Sequence, residues 1–203
     1  IDMRVLSKTE QQQLEYVLMQ DMDLTKFTVL LCLYTGIRIG EACALRWEHI
    51  RLDSGTLEVR ETMQRIQAPR SMESKTRIII TEPKSASSNR DIPLPQFLMQ
   101  HAVRFQADRN AFVLTGEENQ FIEPRTLQNR FRKYVKASGI EHANYHALRH
   151  TFATRCVELG FEIKSLSEIL GHSNVNITLN KYVHSSFELK KKNMERLNLT
   201  IVE

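Results

Sequence analysis

Apolar positions recur at helical spacing at the start of the chain, switch to a two-residue alternation in its middle, and return to helical spacing to the end. Leu14, Val17 and Leu18 follow Ser7-Lys8-Thr9-Glu10, a capping box, and predict a first helix. Asp23 is placed to cap a second, strongly apolar helix through Phe27, Val29, Leu30, Leu31 and Leu33, with Gly36 as its stop. A third, short helix is expected from near Ile39 to around Trp47, before a turn at Asp53-Ser54-Gly55. Alternation then predicts three short strands, at 57–61, 77–81 and 90–94, joined by polar loops at 67–75 and 85–89. Pro95 opens a helix through Phe97, Leu98, His101 and Val103, and Pro124 opens another that Gly139 closes. Further helices are expected at 146–159, 163–170, 178–182 and about 187–197. The sum is an α+β fold, mainly helical with a small three-stranded antiparallel sheet, expected as one unit over residues 1–203.

Composition narrows the class. The 203 residues are 41% hydrophobic and 26% charged, an ordinary globular balance that can bury a core without disulfides or a structural metal. No apolar run approaches the ~20 residues of a membrane span, so no membrane partner is expected. Ile1-Asp2-Met3-Arg4 lacks the basic and apolar regions of a signal peptide, and without an initiator Met we expect a C-terminal piece of a longer chain. Cys32, Cys43 and Cys156 have no metal-ligand spacing and read as buried free thiols of a reducing cytoplasm. The net charge of +4 says little, but its distribution says more: residues 125–136 carry five basic groups and no acid. Such a segment suits a polyanion or a solvated helix face.

Four stretches are richer in reactive groups than packing requires. Arg38 sits at a tight turn with Glu41 three residues on, Lys84 lies between the second and third expected strands, His146 and Arg149 share a helix face, and His172 precedes Tyr182 by ten residues. Each alone has an ordinary explanation as an ion pair, a solvated lysine or a core aromatic. In order they resemble the catalytic domain of the tyrosine recombinase (phage integrase) family, through TGIRIGE at 35–41, HALRHTFAT at 146–154, LGHSN at 170–174 and NKYVH at 180–184. The run from Pro83 to Arg90, leading into Ile92-Pro93-Leu94, resembles the family's lysine hairpin.

The resemblance implies a site-specific DNA recombinase or integrase whose catalytic set is Arg38, Lys84, His146, Arg149, His172 and Tyr182. Tyr182 would form a covalent 3′-phosphotyrosyl bond with duplex DNA. That bond conserves the phosphodiester energy, so no ATP, metal or other cofactor is expected. The chemistry agrees: two planar guanidiniums, here Arg38 and Arg149, are the best permanent clamps for a phosphodiester in displacement. Glu41 would hold Arg38 in register. Lys84 would protonate the leaving 5′ oxygen, His146 would exchange a proton near Tyr182, and His172 would hydrogen-bond the phosphate.

For DNA contacts, the helix opening at Pro124 offers Arg125, Thr126, Gln128, Asn129 and Arg130 to a groove, while His150 and Thr151 are expected on the phosphate backbone. The family assembles as a homotetramer on DNA, with the isolated domain expected as a monomer. Phe187, Leu189, Met194 and Leu197 would dock on a neighbouring copy or fold back on their own core. Three rivals are a non-enzymatic DNA-binding regulator, a type IB topoisomerase-like relaxing enzyme, and a zinc stripe of His142, His146 and His150.

Overall fold

Helix α2 (Leu24–Thr35) is buried on nearly all sides, and the rest of the chain is arranged round it. Asp23 accepts from Lys26 N at 2.8 Å to start it, and Gly36 ends it at φ 66°. That left-handed conformation favours glycine, and a Cβ there would also lie 2.6 Å from Phe152 Cδ1. Its threonines are tolerated inside because Thr28 and Thr35 donate back to Leu24 O and Leu31 O. The structure, a computed structural model, describes residues 3–69, 75–83, 85–183, 191 and 193–195. The helix expected over 187–197 therefore lies mostly outside the described residues, as does Lys84.

Around α2 pack α1 (Lys8–Met19), with the expected Ser7–Glu10 capping box, and α3 (Ile39–Ala44), α4 (Gln96–Phe105), α5 (Pro124–Ala137) and α6 (His146–Glu158). Helix α3 is shorter than expected: the chain turns extended at Leu45, and Trp47 instead opens a single 3₁₀ turn that stacks on Phe27. Helices α7 (Ile163–Leu170) and α8 (Val175–Tyr182) pack on each other and on α6.

The strands differ from expectation in their pairing. A three-stranded antiparallel sheet is present, but it is built from β1 (Ile50–Arg51), β2 (Thr56–Val59) and β5 (Arg90–Pro93), in the order β1-β2-β5. The strand expected at 77–81 is β4 (Thr76–Thr81), which pairs with β3 (Thr62–Gln67) in a separate ribbon. Most of that ribbon is half-exposed, with only Met63 buried on β3. With so little of either face buried, β3 carries no clean alternation in its sequence.

The core is one large apolar cluster centred on α2 and a small satellite of Ala153, Cys156, Leu166, Leu170 and Tyr182. The satellite joins α6, α7 and α8, so Tyr182 belongs to the packing of the helix that carries it. Among the described residues Cys32, Cys43 and Cys156 are buried and unbridged, and no helix is long and apolar enough to cross a membrane.

Candidate active site

The last carbonyls of α7 receive three different arginines. Ile169 O accepts from Arg90 Nε at 2.6 Å, Leu170 O from an Arg149 terminal nitrogen at 2.7 Å, and Gly171 O from an Arg38 terminal nitrogen at 3.2 Å. A helix C-terminus leaves these carbonyls without intrahelical partners and carries partial negative charge, so it suits cations. Gly171 makes the turn possible at φ 64°, and a Cβ there would meet Arg90 and Ser87 O at about 3.0 Å. The end of α2 contributes in the same way, with Gly36 O accepting from Arg149 at 2.7 Å.

Glu41 supplies the carboxylate for this cluster. Its oxygens accept from Arg90 at 2.8 and 3.1 Å, from Arg38 Nη1 at 2.8 Å and from Arg38 N at 2.7 Å. Burial alone would push its carboxyl up, but hydrogen bonds and charge from Arg90, and then Arg38, hold it below its ordinary value. Arg90 was not among the residues singled out from the sequence. Its signal is there: it alternates in phase with Ile92 on the buried face of β5, and a buried arginine needs a counter-charge.

Donor counting shows what the arginines have left. A guanidinium has five N–H groups. Arg149 spends three, on Gly36 O, Leu170 O and His172, and Arg38 spends two, on Glu41 and Gly171 O. Among the described residues the other N–H groups have no acceptor, which leaves them for an anion. Burial, and then the Arg38 charge, push Arg149 down to about 9, which leaves it charged at neutral pH.

His172 Nε2 lies 3.0 Å from Arg149, which can only donate, so Nε2 carries the lone pair and Nδ1–H donates to Thr178 Oγ1 at 2.8 Å. Burial, with Arg149 and Arg38 next in size, holds this ring down to about 4, so it is neutral at pH 7. Tyr182 is 6% exposed, and burial raises its phenol above the usual value, against the opposing charges of Arg149 and Arg38. Its hydroxyl lies 2.9 Å from His150 Nδ1.

Arg38, His146, Arg149, His150, His172 and Tyr182 line one open hollow of about 580 Å³, together with two unanticipated cations, Arg4 and Lys181. A second hollow shares Arg38 and His146 with the first and continues to Arg65 and Pro124. A third runs from Arg65 and Pro124 along Arg125, Gln128, Asn129 and Arg132. Shared residues thus link neighbouring hollows from the arginine cluster to the first turns of α5.

Several expected DNA contacts fall elsewhere. Thr151 is fully buried and accepts from Leu6 N at 2.9 Å, so it cannot reach a phosphate backbone. Arg130 turns toward α2 and donates to Thr25 at 2.6 Å. Thr126 is not among the residues lining the hollow that carries Arg125, Gln128 and Asn129. His150 is half-buried against Tyr182, and the exposed ring one turn earlier is His146. His142 precedes α6 instead of joining its face, and no group of three metal-ligating residues occurs among the described residues.

The sequence model described as the phage integrase family matches residues 5–188. Over 190 residues the chain is 30% identical to a "Tyrosine recombinase XerC-like" protein of Caldanaerobacter subterraneus subsp. tengcongensis, covering 85% of this chain and 49% of that one. Over 200 residues it is 28% identical to "Tyrosine recombinase XerA" of Pyrococcus furiosus, covering 96% of this chain and 62% of that one. The chain thus spans about half to three-fifths of the length of these relatives. A solved structure of the Tn1549 transposon integrase in complex with circular intermediate DNA superposes with a TM-score of 0.78 at 25% identity, covering 98% of this chain and 68% of that one. The catalytic domain of bacteriophage HP1 integrase shares the fold at a TM-score of 0.63 and 20% identity, covering 96% and 95%.

Proposed function

The chain belongs to the phage integrase family, and from that premise we propose that it cleaves and rejoins duplex DNA as a tyrosine-type site-specific recombinase. The observation that carries this is the meeting, round one hollow, of the Tyr182 hydroxyl with two arginines that hold unspent donors. A scissile phosphodiester seated there takes its hydrogen bonds from Arg38 and Arg149, whose positions are fixed beforehand by helix-end carbonyls and Glu41. Such preorganised donors stabilise the charge that develops on the non-bridging oxygens. Tyr182 attacks phosphorus, its oxygen forms the phosphotyrosyl bond, and the 5′ oxygen leaves. The reverse attack by a 5′ hydroxyl rejoins the strand without ATP. The resemblance assigns the leaving-group proton to Lys84.

His172, neutral and held by Thr178, accepts from the same Arg149 nitrogen that donates to Leu170 O. To donate to the phosphate, as expected from the sequence, its ring has to gain a proton or exchange tautomer when the anion arrives. His146 stands exposed at the junction of two hollows, where a phosphate oxygen is its natural partner.

The run of linked hollows from the cluster to α5 is the duplex path in this proposal. Arg125, Gln128 and Asn129 form its reading face and Arg65 and Arg132 its phosphate contacts. The Tn1549 integrase structures, solved with DNA, support duplex DNA as the partner. Assembly as a homotetramer on that DNA and action in the cytoplasm, on the chromosome or an element within it, belong to the same proposal. Incubation with a suicide duplex, nicked so that the cleaved fragment diffuses away, tests it. We expect a denaturation-resistant protein–DNA adduct that forms with chelator present and without ATP, and none from Tyr182→Phe. An adduct from Tyr182→Phe would overturn the assignment.

A further inference from the structure

We propose that His150, not His146, receives the phenolic proton of Tyr182 during attack. This rests on the recombinase reading above and names the proton acceptor within it. The Nδ1 atom of His150 lies 2.9 Å from the Tyr182 hydroxyl, with the rings tilted at 46° and their centroids 5.9 Å apart. Among the described residues the hydroxyl has no other hydrogen-bond partner. Its burial keeps the phenol protonated at neutral pH, so the O–H needs an acceptor, and an unprotonated Nδ1 provides it.

The surroundings keep that lone pair available. Burial first, then the charges of His146, Lys181 and Arg149, hold His150 down to about 4, so it is neutral across the physiological range. The titratable and charged groups facing it come from its own helix (His146, Arg149), from α8 (Lys181), and across the hollow from Arg4 and Arg38. An arriving phosphodiester brings negative charge that offsets these cations and raises the proton affinity of His150 as the substrate is seated. His146, by contrast, is exposed, and no side-chain hydrogen bond ties it to Tyr182.

In the step, the proton passes from the phenol oxygen to Nδ1, the phenol oxygen forms its bond to phosphorus, and the bond from phosphorus to the 5′ oxygen breaks. The electron pair left on the 5′ oxygen takes a proton from solvent or from Lys84. Rejoining runs backward: the 5′ hydroxyl attacks, the bond from phosphorus to tyrosine breaks, and the imidazolium returns its proton to the departing phenolate.

The test measures the rate of adduct formation on suicide duplex DNA as a function of pH. For His150→Ala we expect a loss of about a hundredfold at neutral pH, typical of removing a general base. The deficit should shrink as pH rises toward ionisation of the phenol, and added imidazole should restore part of the rate. His150→Gln, which can hold a hydrogen bond but cannot take a proton, should stay slow, whereas His146→Ala should show neither imidazole rescue nor a pH-dependent deficit. A wild-type rate in His150→Ala, full activity in His150→Gln, or imidazole rescue of His146→Ala in place of His150→Ala would each overturn the proposal alone. Absence of adduct from the unmodified chain as well would overturn the recombinase reading with it.

Discussion

The two halves of the candidate site are built to different tolerances. On the arginine side, Arg38, Arg90 and Arg149 are each fixed by at least two acceptors from separate elements: the ends of α2 and α7, the carboxylate on α3, and the loop before β5. On the tyrosine side, the Tyr182 hydroxyl is held among the described residues by one hydrogen bond and a small satellite cluster, at the last residue of the short helix α8. The contrast has a chemical reason. Donors that stabilise developing charge work best when they do not have to reorganise. In the proposed reaction Tyr182 becomes covalently attached to one strand and has to travel with it.

Three substitutions sharpen the comparison. The largest effect is expected from Glu41→Gln, which leaves two arginine side chains at a buried site without their carboxylate. We expect about 3–5 kcal/mol of lost stability by denaturant unfolding. Because the folded carboxyl of Glu41 is held below its ordinary 4.5, its contribution is complete above that pH. It is lost as pH falls through the folded value, so acid should unfold the wild type and leave the variant's stability flatter there. A variant as stable as the wild type would show that helix-end carbonyls alone hold the arginines.

Next is Arg149→Lys, which keeps the charge but cannot span Gly36 O, Leu170 O and an anion together. Its adduct rate should fall about 10²–10³-fold, with the fold intact by circular dichroism. A fall of less than tenfold would mean that charge suffices without the planar fork. Smallest is Asn174→Ala, which removes the acceptor for Asn176 N that starts α8. A lost cap of about 1 kcal/mol should speed hydrogen exchange of the α8 amides about fivefold and leave the arginine side unchanged. Equal loosening of both halves would erase the distinction.

How much of this is written in the sequence follows the same division. Helices with strong local signals, such as α2 between Asp23 and Gly36 and α7 ending at Gly171, are legible because cap chemistry is local. The partnership of Arg38, Arg149, His172 and Tyr182 is legible only through the order of four motifs, since residues 36–182 meet by tertiary packing that no spacing encodes. Strand β4 was legible, but its partner β3 stayed hidden because it buries little, and Arg90 because its partner Glu41 lies 49 positions away. Which of His146 and His150 contacts the phenol is illegible for a similar reason. One helical turn separates them, and only the packing of α8 decides which ring meets the phenol.

The most direct measurement of the central claim is to digest the covalent adduct formed on suicide DNA and identify the modified peptide by mass spectrometry. The geometry predicts attachment on the peptide that contains Tyr182, and the family resemblance a 3′-phosphoryl link. A 5′-linked nucleotide, or attachment at any other side chain, would contradict it.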